Sequence, residues 1–299
     1  MKDDELKDFR SGYVSIIGRP NVGKSTLLNS ILGEKIAIVT PKPQTTRNRI
    51  IGIKTLTDAQ IVFIDTPGIH KPKHKLGETM VRTAMEALHE VDIVLFMVEP
   101  LEPNKGDLAI IDLLRKISSH VFLLINKTDA IKKPELLHII EKYKDLYPFK
   151  EIIPVSAIKH DGIDLLIKKV SEYLPYGPKY YPDDLITNQI ERFMVSEIIR
   201  EKAMDMTKEE LPHSIAVEVA EWREREDGLI SIISTIYVER EGQKVIIIGK
   251  GGKMLKAIGS TARAEIEKLL NTKVYLEMWV KVKKKWRDNK QLLKELGYY

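Results

Sequence analysis

The sequence predicts an α/β domain built on a doubly wound, mostly parallel sheet, followed by a smaller α+β domain. Three observations carry this expectation. Residues 13–174 alternate short apolar runs with amphipathic stretches, the rhythm of β-α-β units. Three prolines and a glycine then fall within ten residues, Leu174-Pro175-Tyr176-Gly177-Pro178-Lys179-Tyr180-Tyr181-Pro182-Asp183, and mark a linker. Beyond it the order changes to helix, two alternating runs, a third apolar run, helix and a last alternating run.

In the first domain, strands are expected at 13–17, 50–56, 61–65, 92–99, 121–126 and 152–155, and helices at 24–32, 77–88, 106–116, 134–146 and 162–173. The second and third strands are separated by a hairpin-like turn at Thr57-Asp58, so one sheet edge should be antiparallel. In the second domain a helix spans 189–206, with Ile190, Phe193, Met194, Ile198 and Ile199 on one side. Strands follow at 215–222 and 229–238, joined around Asp227-Gly228. The apolar run 245–248 enters Gly249-Lys250-Gly251-Gly252; a helix then runs to about Leu270 and a strand covers 274–282. The expected organisation is an N-terminal arm at 1–12, a first domain at 13–174, a linker at 175–188, a second domain at 189–283 and a basic tail at 284–299.

Composition excludes several classes. Hydrophobic residues make up 43% of the 299 and charged residues 30%, as in a globular, soluble chain. No apolar run approaches the ~18 residues of a membrane span, and residues 1–12 lack the apolar centre of a signal peptide. With no Cys there is neither a disulfide framework nor a thiolate metal site. A cytoplasmic location is expected, and no stable oligomer. The net charge of +5 is mild, but the basic residues are concentrated near the C-terminus.

The chemistry begins at Gly18-Arg19-Pro20-Asn21-Val22-Gly23-Lys24-Ser25, which fits G-x-x-x-x-G-K-[ST] between a strand and a helix. Glycines let the backbone turn tightly against phosphates, and the N–H groups at a helix start face an anion. Lys24 supplies a cation for the β- and γ-phosphates, the Ser25 hydroxyl is a Mg²⁺ ligand, and Thr26 continues the nucleotide-contacting run. Asp65-Thr66-Pro67-Gly68 ends an apolar strand; Asp65 is expected to hold Mg²⁺ through water and the Gly68 N–H to meet the γ-phosphate. In Pro43-Gln44-Thr45-Thr46-Arg47, a Thr hydroxyl is expected to reach Mg²⁺, Thr46 being favoured over Thr45. Asn126-Lys127-Thr128-Asp129 ends another strand. A carboxylate there accepts from the N1–H and N2–H₂ edge of guanine, whereas adenine would leave it unpaired. Asn126 ties this loop to the phosphate loop, Lys127 lies across the base, and a backbone N–H at Ser156-Ala157 is expected to meet guanine O6.

In this order the segments resemble the translation-factor-related GTPases, with Lys24, Thr46 and Gly68 as the catalytic set. Small signalling GTPases place a Gln after D-x-x-G to orient the attacking water; here that position is Ile69, so slow intrinsic hydrolysis is expected. In GTPases with an Asn at the position of Asn21 and a hydrophobic residue after that Gly, K⁺ often bridges the phosphates. The resemblance therefore implies Asn21 as a K⁺ ligand.

The second signature is Gly249-Lys250-Gly251-Gly252-Lys253. In its helix–strand–strand and helix–strand setting it resembles the G-x-x-G loop of bacterial (type II) KH domains, which clamps about four nucleotides of single-stranded RNA. Lys250 and Lys253 are expected at phosphates. From Lys273 to Lys294 eight Lys and Arg, among them Lys283, Lys284 and Lys285, stand against Glu277 and Asp288, an excess of six positive charges. Such a cluster draws polyanions, RNA or an anionic membrane surface. Trp279 and Trp286 are candidates to stack on bases, with the core as the alternative for Trp279.

A GTPase domain joined to a C-terminal KH domain is similar to the Era family. So are the linker at 177–182 and the run Glu191-Arg192-Phe193-Met194-Val195-Ser196-Glu197-Ile198-Ile199-Arg200-Glu201. The resemblance implies a bacterial GTPase that uses Mg²⁺, binds GTP and GDP, binds 16S rRNA near its 3′ end, assists assembly of the 30S subunit and contacts the inner membrane peripherally. A tRNA-modification or other ribosome-assembly GTPase, or an RNA-binding protein with a structural GTP site, stays as the alternative.

Overall fold

The first apolar run forms β1 (Arg10–Gly18), whose interior is closed to water from both faces. It pairs in parallel with β3 (Ala59–Asp65) on one side and β4 (Ile93–Val98) on the other. β5 (His120–Ile125) and β6 (Glu151–Pro154) extend the parallel sheet, and β2 (Ile50–Thr55) closes the far edge antiparallel to β3. The order is β2-β3-β1-β4-β5-β6. Continuous apolar runs such as Ile-Val-Leu-Phe-Met-Val in β4 read this way because helices cover both faces of a parallel sheet. Those helices are α1 (Lys24–Leu32), α2 (Lys75–His89), α3 (Lys105–Leu114), α4 (Lys133–Lys144) and α5 (Ile163–Tyr173).

This computed structural model describes residues 8–207 and 211–298. The chain divides into two compact units. One holds residues up to Ala37, Thr46–Pro72 and Gly77–Asn188; the other holds Ile38–Thr45, Lys73–Leu76 and residues from Gln189 onward. The expected N-terminal arm, 1–12, differs: β1 already starts at Arg10, and residues 1–7 lie outside the described residues. The expected linker, 175–188, ends where the units divide, at Asn188 and Gln189, and it is ordered. Its backbone lies along the first unit, with Ser11 N–H donating to Pro175 O and Ile53 N–H to Ile186 O. The reason is the fully buried Gln60 amide. Its Oε1 accepts from the N–H groups of Tyr180 and Tyr181, and its Nε2 donates to Tyr181 O. A buried amide must find such partners, and Tyr13 stacks on Tyr180 at 5.2 Å between ring centres.

In the second unit, α6 (Glu191–Asp205) packs on a three-stranded sheet of order β7-β8-β9. β7 (Ala216–Glu224) is antiparallel to β8 (Ile230–Val238), with a bulge at Ala220, and β8 is parallel to β9 (Val274–Val282). The apolar run 245–248 sits in a helix, α7 (Glu241–Ile248), which leads into α8 (Lys253–Leu270). Ile247 turns inward to join Val195, Ile199, Ile232, Ile236 and Ile258 in the core, while Val245 and Ile246 stay exposed.

The basic stretch at 284–299 is folded over its described length. A short turn at Trp286–Asp288 precedes α9 (Lys290–Glu295), with Trp286, Leu293 and Tyr298 buried. Among the described residues no helix is long and apolar enough to cross a membrane.

Candidate functional site

The loop after β1 wraps back on itself before α1 begins. Its last turn needs glycine at position 23: φ is +104°, and a Cβ there would stand 2.3 Å from Asn126 Nδ2. Phosphate loop and base loop thus meet at a point with no room for a side chain. The Asn126 amide completes the join, Nδ2 donating to Val22 O at 2.8 Å and Oδ1 accepting from the Ala157 N–H at 3.0 Å. Lys24 is buried against the loop, its ammonium donating to Arg19 O at 3.0 Å and Gly18 O at 3.4 Å. Burial pushes its pKa down to about 8, against the opposing pull of the Asp65 carboxylate.

Three oxygen-bearing side chains from three different segments converge beside Lys24. Ser25 Oγ donates to Asp65 Oδ2 at 2.6 Å and lies 2.8 Å from Thr46 Oγ1, which is 3.4 Å from the same carboxylate oxygen. Asp65 is fully buried, and its Oδ1 has no hydrogen-bond partner. Burial raises its pKa to about 6, even though Lys24, Ser25 and Thr46 favour the charged form. One carboxylate and two hydroxyls, with an unsatisfied buried oxygen, suit a hard, oxygen-ligated cation such as Mg²⁺. Of the two adjacent threonines the structure brings Thr46 here; Thr45 Oγ1 donates instead to Lys42 O at 2.7 Å. Thr66 points away, its hydroxyl donating to Ile16 O inside the core. Gly68 and Pro67 are buried, and the Ile69 N–H donates to Gly18 O at 3.1 Å, tying this loop to the phosphate loop.

The base loop frames a cavity of about 240 Å³ lined by Gly23, Thr26, Asn126, Lys127, Asp129, Ala130, Ala157 and Ile158. Lys127 adopts a left-handed backbone (φ 61°), and Thr128 opens a single 3₁₀ turn. Ser156 Oγ donates to Asp129 Oδ1 at 2.5 Å and so aims that carboxylate. The N–H groups of Ser156 and Ala157, where a contact to guanine O6 is expected, both have partners within the protein. Ser156 N–H donates to Asp161 O as the 156–161 loop closes into a turn, and Ala157 N–H donates to Oδ1 of Asn126 in the base loop. Asn21, also left-handed, is exposed at the rim of the phosphate loop.

In the second unit the Gly249-Lys250-Gly251-Gly252 loop joins α7 to α8. Gly251 and Gly252 have φ of +59° and +76°, conformations that side chains other than glycine rarely take. Lys250 and Lys253 are exposed beside them. Lys284 and Lys285 are exposed too, whereas Lys283 pairs with Glu295 at 3.1 Å and lies over the Tyr237 ring. Trp286 does not stack on a ligand: it is fully buried, donates through Nε1 to Ser214 O at 3.0 Å and stacks on Tyr298. Trp279 is the reverse, 55% exposed, because inward positions of β9 fall to Val274, Leu276, Met278, Val280 and Val282.

Sequence patterns missed the carboxylates that hold these loops in place, Glu99 and Asp107. Glu99 follows β4 and meets Lys127; Asp107 lies in the first turn of α3 and meets Arg19. Each is an ordinary acidic residue at an element end, and nothing in its neighbours distinguishes it.

Residues 13–127 match the model of the 50S ribosome-binding GTPase family, and residues 210–287 match that of the KH domain. GTPase Era of Geobacter metallireducens is 59% identical over 97% of this chain and 98% of its own length. GTPase Era of Ruminiclostridium cellulolyticum is 55% identical with equal coverage. Among solved structures, Era in complex with MgGDPNP and nucleotides 1506–1542 of 16S ribosomal RNA superimposes with a TM-score of 0.94 at 42% identity, covering 97% of this chain and 99% of that one. A single-residue variant of Aquifex aeolicus Era bound to GDP·AlF₄⁻ gives the same values.

Proposed function

The chain belongs to the Era family of GTPases, and on that premise we propose that it couples GTP binding and hydrolysis to holding 16S rRNA near its 3′ end during assembly of the small ribosomal subunit. The observation that carries the reading is the convergence of Ser25, Thr46 and Asp65 beside Lys24, with Asp129 across the Asn126 bridge. One end of that arrangement suits Mg²⁺ and phosphates; the other suits the donor edge of guanine.

Each residue has a physical task in this scheme. Lys24 sits where an ammonium offsets phosphate charge, and a phosphate beside it would hold its proton. Ser25, Thr46 and Asp65 would hold Mg²⁺, which would supply charge stabilisation for the phosphates. Thr46 and Gly68 read the γ-phosphate through their N–H groups, so both segments respond to its loss. Ile69 offers no base, and the rate rests on placement and fixed dipoles, which favours slow turnover. Segment 38–45 belongs to the second unit, where Val39 N–H donates to Glu201 and Arg200 donates to Thr45 O. The next residue is Thr46. One peptide bond therefore joins a γ-phosphate sensor to a segment held by α6, the path by which nucleotide state would reach the RNA-binding unit.

Asn21, exposed at the loop rim, supplies an amide oxygen of the kind K⁺ accepts. GTPase activity should be higher in KCl than in NaCl at equal ionic strength; equal rates would reject this role. The exposed lysines 250, 253, 284 and 285 supply charge for RNA phosphates, and the same charge supports peripheral contact with an anionic inner membrane from the cytoplasmic side. The central test is crosslinking to cellular RNA with GTP and with GDP, followed by sequencing of the bound fragments. Fragments from the 3′ end of small-subunit rRNA are expected. Predominant tRNA fragments, or displacement of bound GDP by ATP as readily as by GTP, would overturn the reading.

A further inference from the structure

Behind the phosphate loop lies a chain of charged and polar side chains separate from the Ser25, Thr46 and Asp65 cluster. It starts on α4, where the Tyr143 hydroxyl donates to Asp107 Oδ2 at 3.2 Å inside the core. Asp107 is 1% exposed. Its Oδ1 accepts from Arg19 Nε at 2.8 Å, and its Oδ2 also accepts the Asn104 N–H that starts α3. A carboxylate buried this deeply demands a partner, and Arg19 supplies it from within the phosphate loop. The Arg19 guanidinium reaches on to Glu99 Oε2 at 3.6 Å. The other oxygen of Glu99 accepts from Lys127 Nζ at 2.5 Å, and the same ammonium donates to Asn21 O at 2.9 Å. The path thus leaves the phosphate loop at Arg19 and returns to it at Asn21, passing through the base loop at Lys127.

We propose that Glu99 is a positioning residue for the guanine nucleotide, the link through which Arg19 and Lys127 lock the base loop onto the phosphate loop. The proposal rests on the guanine-site reading above and deepens it. Lys127 carries its ammonium on a flexible four-carbon stem. Unheld, that stem samples many rotamers, and ordering it on binding would weaken the complex. With Glu99 on one side and Asn21 O on the other, the stem is already fixed along the edge of the cavity that Lys127 lines with Asp129. Arg19 keeps Glu99 from turning away, and Asp107 keeps Arg19 from turning away. Asn126 bridges the two loops from the buried side while Lys127 and Glu99 bridge them from the rim, so the base loop is held at two points. Removing the rim bridge alone should let the base loop open more often without dissolving the site, and that raises the rate of nucleotide release.

The test is release of N-methylanthraniloyl-GDP from the full-length protein. Glu99→Gln keeps size and shape but loses the charge; it should speed release by about tenfold, as loss of a partly desolvated charge partner does. KM for GTP should rise by more than kcat falls. Glu102→Gln serves as control, since Glu102 is exposed and faces His138; its release rate should match wild type. The decisive comparison is Glu99→Gln in a Lys127→Met background. If Glu99 acts through Lys127, adding the second substitution changes release by less than about twofold. Unchanged release in Glu99→Gln, or a full tenfold effect that persists without the lysine, would overturn the brace while leaving the guanine site standing. Failure of the wild-type protein to retain labelled GDP would overturn both.

Discussion

The proposed phosphate-and-base site of the first unit and the proposed RNA loop of the second are built in opposite ways. The first is assembled from chain-distant pieces: Gly23 abuts Asn126, Ser25 meets Asp65 and Thr46, and Lys127 reaches Asn21. Lys24, Thr46, Asp65 and Asn126 are buried and already paired, and the exposed Asp129 is held by Ser156. The second is local. Gly251 and Gly252 have open space around them, and Lys250 and Lys253 extend into solvent between two consecutive helices. A cross-braced site that fixes its carboxylate can reject the wrong base because a polar group covered by the base and left unmatched is costly. An open basic loop gives affinity with little penalty for mismatch, and its strength follows salt. Selectivity should therefore fail abruptly in the first unit and gradually in the second.

Substitutions should expose that contrast. Asp129→Asn converts the acceptor facing guanine into an amide. GTP affinity should drop on the order of 10³-fold, with preference moving to xanthosine triphosphate, as expected where a built hydrogen-bond site is mismatched. Competition against labelled GDP measures this, and retained guanine preference would break the contrast at its strongest point. In the second unit the largest effect should come from a structural residue. Trp286→Ala should lower stability by about 3–5 kcal/mol, whereas exposed Trp279→Ala should stay within about 0.5 kcal/mol; thermal or urea unfolding of both variants decides.

A pH titration probes burial directly. In the nucleotide-free protein burial holds the Lys24 pKa down at about 8. Phosphates keep that proton on, so binding takes up a proton above pH 8. Affinity for GDP should be flat just below pH 8 and fall by up to about tenfold per pH unit above it. A flat profile up to about pH 9.5 would mean that Lys24 is not desolvated. The smallest effect belongs to the open loop. Lys250→Ala with Lys253→Ala should weaken binding of every single-stranded oligoribonucleotide alike and lower the log–log salt slope by about 1.4, with GTP hydrolysis in the absence of RNA unchanged. A sequence-dependent loss would show that these lysines read bases.

How far the sequence could be read follows the same division. The glycine-and-lysine loop, the Asp65 and Asp129 motifs and the G-x-x-G loop were legible because each is a short contiguous pattern whose backbone chemistry is local. The strands of the first domain were legible because burial on both faces demands unbroken apolar runs, as in β4. Helix α7 was not recognised: four consecutive apolar residues at 245–248 have no period, and only packing shows that Ile247 turns in while Val245 and Ile246 turn out. The proline-rich segment read as a linker; composition does not reveal that a buried Gln60 needing backbone partners orders it. Trp279 and Trp286 were equivalent as letters in a basic stretch and opposite in space.

The sequence by itself determined the alternation of elements and the place of the glycine-rich loops within them, since these depend on neighbours a few positions apart. Tertiary structure alone decided that Ser156 aims Asp129 and that Glu99 and Asp107 brace the loops. Those contacts join residues tens of positions apart. Such pairs are fixed by how strands order themselves in a sheet, and no local pattern of side chains records that order.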